Sequence, residues 1–221
     1  MQNTANSLEY QLQGSEKNSD MPEKTAKIIS VIFHPILLPT LGFTLLFASG
    51  FYSSMLTTDA IRFILLVIFF STATLPMLSV AVLALNSKFD FLMPNSRDCI
   101  IPLLFTSVFY YIGFMLLGRI HFLPVFKLFM IASVLLIIAL LIISFKWKIS
   151  IHTAATGAVT ATFLALSFRG GVNPMGAVII VIIVSGLVGT ARLVLEKNNL
   201  LQVAAGYILG FAILYPVIYF L

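Results

Sequence analysis

An all-α, multi-pass transmembrane bundle of about six to seven spans follows from three observations. The 221 residues are 60% hydrophobic and only 10% charged, where a soluble domain carries about 25% charged residues. Apolar runs long enough to cross a bilayer core, which takes about 20 residues, recur along almost the whole chain. Stretches such as Leu135 to Ile143 are apolar on every side, unlike the one-sided pattern of a soluble helix.

Residues 1–24 are polar and read as a disordered tail. They lack the basic start, short apolar core and small-residue cleavage site of a signal peptide. Residues 25–221 form the transmembrane domain. Its first apolar run, Ala26 to Gly50, contains His34-Pro35 and Pro39, and proline inside a membrane helix frees backbone carbonyls. His34 falls about two turns into this run. It reads either as a histidine bonded to a neighbouring helix or as one facing a polar cavity, since intramembrane ionisable groups are functional candidates.

The second run, Ala60 to Leu85, carries Pro76 in its middle and ends at a polar loop, Asn86 to Asp98. The third, Ile100 to Leu117, is rich in aromatics, and Gly-Arg-Ile-His-Phe links it to the fourth, Leu123 to Ser144. Phe145-Lys146-Trp147-Lys148 closes that run as an interfacial anchor. The fifth, Ser150 to Ser167, repeats small residues at Ser150, Ala154, Gly157 and Ala161. That face allows close helix packing and predicts a helix internal to the bundle. Gly186 and Gly189 mark the sixth run, Met175 to Ala191. Gly206 and Gly210 mark the seventh, Leu200 to Leu221. These glycine-rich runs suit packing within one bundle or between two copies.

Composition narrows the chemistry. A lone cysteine, Cys99, excludes an intramolecular disulfide and a cysteine-rich metal site. Three histidines with few acids argue against a multi-ligand metal centre. The net charge of +5 is spread over short loops, which suits membrane lipids rather than nucleic acid.

Polar residues gather in three knots: Asp90 to Asp98, Lys148 to Gly157, and Ser185 to Gly210. With seven spans, all three lie on one side of the membrane. That side holds nine of the lysines and arginines against four on the other, so the positive-inside rule places the knots in the cytoplasm. An anion site would itself contribute Arg97, Lys148 and Arg192 to this count. Arg192 stands at the end of the sixth run. Asn198 and Gln202, four apart, share a helix face that can point at whatever Arg192 binds.

These knots resemble the type 2 phosphatidic acid phosphatase superfamily over roughly Asp90 to Gly210. That family carries Lys-x6-Arg-Pro, then Pro-Ser-Gly-His, then Ser-Arg-x5-His-x3-Asp. Here Ile149-Ser150-Ile151-His152 keeps the serine and histidine of the second signature. Ala191-Arg192 keeps the arginine of the third, with Asn198 at the nucleophilic histidine's position and Gln202 at the aspartate's. Arg97 aligns with the arginine of the first, but Asp90 and Asp98 stand at its lysine and proline positions, and Lys88 is two residues out of register. The resemblance implies a bacterial inner-membrane protein acting on a lipid phosphate of the phosphatidic acid or polyprenyl phosphate class. It implies His152 as general acid and Arg97, Ser150, Arg192, Asn198 and Gln202 around the phosphate, with no metal or organic cofactor, since the family chemistry uses histidine and arginine.

An amide nitrogen cannot attack phosphorus, because its lone pair is delocalised into the carbonyl. The site as written therefore suits binding better than cleavage, and a phosphatase reading needs another nucleophile, for which His34 is the remaining intramembrane imidazole on that side. A non-catalytic lipid-phosphate binder or scaffold is the alternative. A small transporter ranks third, since no inverted repeat with paired broken helices is present. Beside these stands a purely structural reading: Arg192 and Lys197 snorkelling to head groups, Ser150 capping a helix, and His152 bonded to a neighbour.

Overall fold

The computed structural model describes residues 22–50, 56–85, 100–118, 124–169 and 175–220. Among them every regular element is a helix, and six helices are long and apolar enough to span a membrane.

The first apolar run departs from expectation. It forms two half-length helices, α1 (residues 22–32) and α2 (Leu38–Ala48), rather than one span. The break falls at His34-Pro35. Pro35 has no N–H, and Pro39 sits in the first turn of α2, where the missing donor is harmless. His34 bridges the gap: its carbonyl accepts from Leu37 and Leu38 N–H at 2.8 and 3.1 Å. Its ring Nδ1 accepts from Ile36 N–H at 3.3 Å. Eleven residues of α-helix reach only about 16 Å, so neither half crosses a core of about 30 Å alone.

The second run is one continuous rod, Thr58–Ala84. Its parts are α3 (Thr58–Phe69), a π-helical segment (Phe70–Thr74) and α4 (Leu75–Ala84). Pro76 cannot donate to the carbonyl four residues back, and the helix widens there instead of breaking. Gly113 of α5 (Ile100–Leu117) meets this wide turn. A Cβ there would stand 2.6 Å from Ser71 Oγ and 2.5 Å from Met130 Cε. The last four helices are α6 (Pro124–Ser144), α7 (Ile151–Arg169), α8 (Met175–Val194) and α9 (Leu200–Phe220).

The most enclosed span is α7, as its small-residue face predicts. Its threonines Thr153, Thr156, Thr160 and Thr162 return their hydroxyls to carbonyls three or four residues back, which removes unpaired donors from the apolar interior. Thr160 also meets Ser185 of α8 at 3.1 Å.

The tightest packing is between α7 and α9, which run parallel. Ser150 N–H donates to Gln202 O at 3.3 Å at one end, and Arg169 Nη1 donates to Ile218 O at 2.8 Å at the other. A Cβ at Gly157 would strike the backbone of Tyr207, and one at Gly210 the backbone of Ala154. The glycines of the seventh run thus serve contact within the bundle. On the other flank, Phe43 and Phe47 of α2 pack on Phe126 and Phe129 of α6, with ring centroids 4.8–5.6 Å apart. The parallel pair brings the α6–α7 and α8–α9 links to one end of the bundle.

Candidate functional site

The end of α8 and the start of α9 are both closed by local hydrogen bonds. Lys197 N–H reaches Arg192 O and Glu196 N–H reaches Leu193 O, at 3.3 and 3.0 Å. This is a Schellman turn. Its left-handed position, usually glycine, is Glu196 at φ 51°. Two residues later α9 opens with a capping box. Asn199 Oδ1 accepts from Gln202 N–H at 2.9 Å, and Gln202 Oε1 accepts from Asn199 N–H at 3.1 Å.

This turn folds Asn198 back under Arg192. Asn198 is buried at 8% exposure. Its Oδ1 accepts from Arg192 Nε at 3.2 Å, and its Nδ2 donates to Gln202 Oε1 at 3.2 Å. The capping box therefore fixes Gln202, Gln202 orients the Asn198 amide, and Asn198 holds the guanidinium.

Against this turn stands the start of α7. Ser150 is its N-cap, with Oγ accepting from Thr153 N–H at 3.4 Å and only 1% exposure. His152, the second residue of α7, is half-buried. Its ring meets the His34 ring edge to face, with centroids 5.2 Å apart at 81°. It also lies near the backbone of Ser30. The Ser30 hydroxyl in turn accepts from Arg192 Nη1 at 3.3 Å.

Five elements thus converge on one cluster: α1 through Ser30, the α1–α2 break through His34, the start of α7 through His152, the end of α8 through Arg192, and the α8–α9 turn through Asn198. A hydrogen bond fixes what the His34 ring offers. His34 accepts at Nδ1, so in its neutral form the proton sits on Nε2. A neutral His152 ring, near the Ser30 backbone, likewise carries one lone-pair nitrogen. Arg192 supplies the cluster's fixed positive charge. Among the described residues the ion pairs are Lys27–Glu23 and Arg62–Asp59, and Arg192 belongs to neither. A cation ringed by an amide, a hydroxyl and two imidazoles, without a carboxylate, can hold an anion through charge-assisted hydrogen bonds.

Four of the six residues expected at the site stand in this network: His152, Arg192, Asn198 and Gln202. Ser150 lies at the same end, but its side chain is spent on capping α7. Arg97 lies outside the described residues, as does the rest of the first knot. Among the described residues no group of three histidines, cysteines or acids is placed to hold a metal. Two residues enter from the first apolar run. His34 was visible in sequence as an intramembrane imidazole and as the candidate substitute nucleophile, without a position beside Arg192. Ser30 gave no signal, since one serine in an apolar run reads as an ordinary helix residue. Comparison with protein-family models, with curated proteins and with solved structures finds no match for the chain.

Proposed function

We propose that this chain is an integral membrane, phosphatase-like protein that takes the phosphate of a lipid phosphate at the Arg192 cluster, with His34 and His152 as its two imidazoles. The observation that carries this reading is the packing of those two rings, 5.2 Å apart, at an arginine without a carboxylate partner. The third signature lacks its histidine in this chain, and His34 brings an imidazole to the cluster from another part of the sequence. The lipid is of the phosphatidic acid or polyprenyl phosphate class, and the bacterial inner membrane is the setting the resemblance implies.

The chemistry divides between the rings. The free nitrogen of His152 forms an N–P bond as the P–O bond to the lipid alcohol breaks. The departing oxygen takes a proton from His34, which must enter as imidazolium, with Nδ1 released from the Ile36 N–H. Water then attacks phosphorus as the N–P bond breaks and its electron pair returns to His152, the water's proton goes to His34, and inorganic phosphate leaves. Arg192 and Asn198 offset charge on the phosphate oxygens. This division gives His152 the nucleophile's part rather than the acid's part that the resemblance implies.

The test is phosphate release by purified protein from a panel of lipid phosphates. Turnover abolished by His34→Ala, His152→Ala and Arg192→Gln separately is the expected result. Turnover that survives His34→Ala would remove that residue's role. A second reading, lipid-phosphate binding without turnover, is favoured by the Ile36–His34 bond, which holds His34 in its neutral form. It predicts Arg192-dependent binding of phosphatidic acid and no release by wild type.

A further inference from the structure

The cluster includes a residue from outside the three polar knots. Ser30 meets both of its functional groups: the hydroxyl accepts from Arg192, and the backbone lies near the His152 ring. Ser71, Thr106 and Thr162 spend their hydroxyl protons on carbonyls four residues back. Among the described residues Ser30 makes no such bond, so its O–H is left to donate at the edge of the guanidinium.

The attachment of α1 is narrow. Ala26 and Ser30, one turn apart, are its buried residues, while Ile28, Val31 and Ile32 are 51–69% exposed. The Arg192–Ser30 contact, at 3.3 Å, is at the long end of hydrogen-bond range. The buried face of α1 is thus confined to one turn, and a ligand that engages Ser30 acts on that face.

We propose that Ser30 is a direct ligand of the bound phosphate and that α1 closes over the site when the phosphate arrives. The proposal rests on the reading that Arg192 holds a phosphate. An anion on the guanidinium edge accepts from Arg192 and from the Ser30 O–H together. It replaces one long contact with two charge-assisted bonds, which are shorter and stronger. The same movement brings the Ser30 backbone against the His152 ring. Ser30 is thus both a phosphate donor and the residue that couples α1 to the occupied site.

Full-length protein in phosphatidylcholine nanodiscs tests this. Cys99→Ser removes the native thiol, and Ala26→Cys places a reporter on the buried face of α1. Thiol labelling is followed without ligand, with phosphatidic acid in the nanodisc, and with inorganic phosphate. Labelling slowed by phosphatidic acid supports closure over a lipid head group; slowing by inorganic phosphate alone supports closure over the free anion. Ser30→Ala should weaken phosphate binding about tenfold, the ordinary loss for a hydrogen bond to a charged group, and abolish the protection. Ser30→Thr, which keeps the hydroxyl, should restore both. If neither probe binds wild type, the phosphate reading itself falls. If wild type binds in an Arg192-dependent way while Ser30→Ala binds equally well, or labelling at residue 26 ignores the ligand, the role of Ser30 alone is overturned.

Discussion

Gly206→Ala tests whether close α7–α9 contact builds the site. The added Cβ would lie 2.5 Å from both Ser150 O and Thr153 Oγ1, where ordinary contact begins at 3.4 Å. Thr153 can rotate away, but Ser150 O is backbone, so the helices must part locally by about 0.9 Å. The Ser150–Gln202 bond, already 3.3 Å, would then be lost. Overpacking of this kind costs about 1–3 kcal/mol, which lowers the melting temperature by roughly 2–4 °C per kcal/mol in a chain of this size. The shift also carries His152 away from Arg192, so phosphate binding should weaken beyond what stability explains. Gly186→Ala is the matched control: nothing lies within 4 Å of its Cβ, and alanine favours a helix over glycine by about 1 kcal/mol. Both are compared by thermal unfolding in detergent and by binding of phosphatidic acid in nanodiscs. Equal melting temperatures would refute the claim that backbone contact at Gly206 sets the spacing of the site.

Other perturbations separate the roles of the turn residues. Glu196→Gly relieves the left-handed strain at φ 51° and should raise stability by about 1 kcal/mol, read by thermal unfolding, without changing phosphate binding. Asn199→Ala removes the N-cap of α9 and should cost about 1 kcal/mol by the same measurement. Asn198→Asp sets a carboxylate against Arg192 Nε and fills the anion site from within. Binding of phosphatidic acid should fall at least tenfold while the fold stays intact, as judged by circular dichroism. Retained binding there would show that Arg192 is not the anion's partner.

Much of the fold is written in local pattern. Apolar length gives the spans from Ile100 onward nearly to the residue, because a helix is the structure that satisfies its own backbone in lipid. The small-residue stripe of α7 gives its central place. The first run was misjudged because hydropathy averages over a break: Pro35 stops the hydrogen bonding while its neighbours stay apolar. The site was legible where sequence neighbours share a turn, as with Arg192, Asn198 and Gln202. The amide chain at that turn is also local, since Asn-x-x-Gln ahead of an apolar run is a capping-box pattern. The contact of Ser30 with Arg192 spans 162 residues. No periodicity predicts it, because it depends on where the broken first run lays α1 across the end of the bundle.

The break itself explains why the cluster sits at that end. A continuous helix through residues 22–48 would bond its carbonyls internally. Pro35 instead leaves the His34 carbonyl and ring to cap the second half, which fixes the imidazole at the junction. Irregular backbone near a membrane is tolerated where it is buried in protein or faces a polar cavity, and the junction satisfies this by packing His34 on His152. A guanidinium at such a place pays for its partial desolvation with neutral acceptors alone, Asn198 Oδ1 and Ser30 Oγ. Neutral acceptors return less than a full negative charge would. The cluster is therefore complete as a hydrogen-bond network and carries an uncompensated positive charge, which the proposed phosphate would offset.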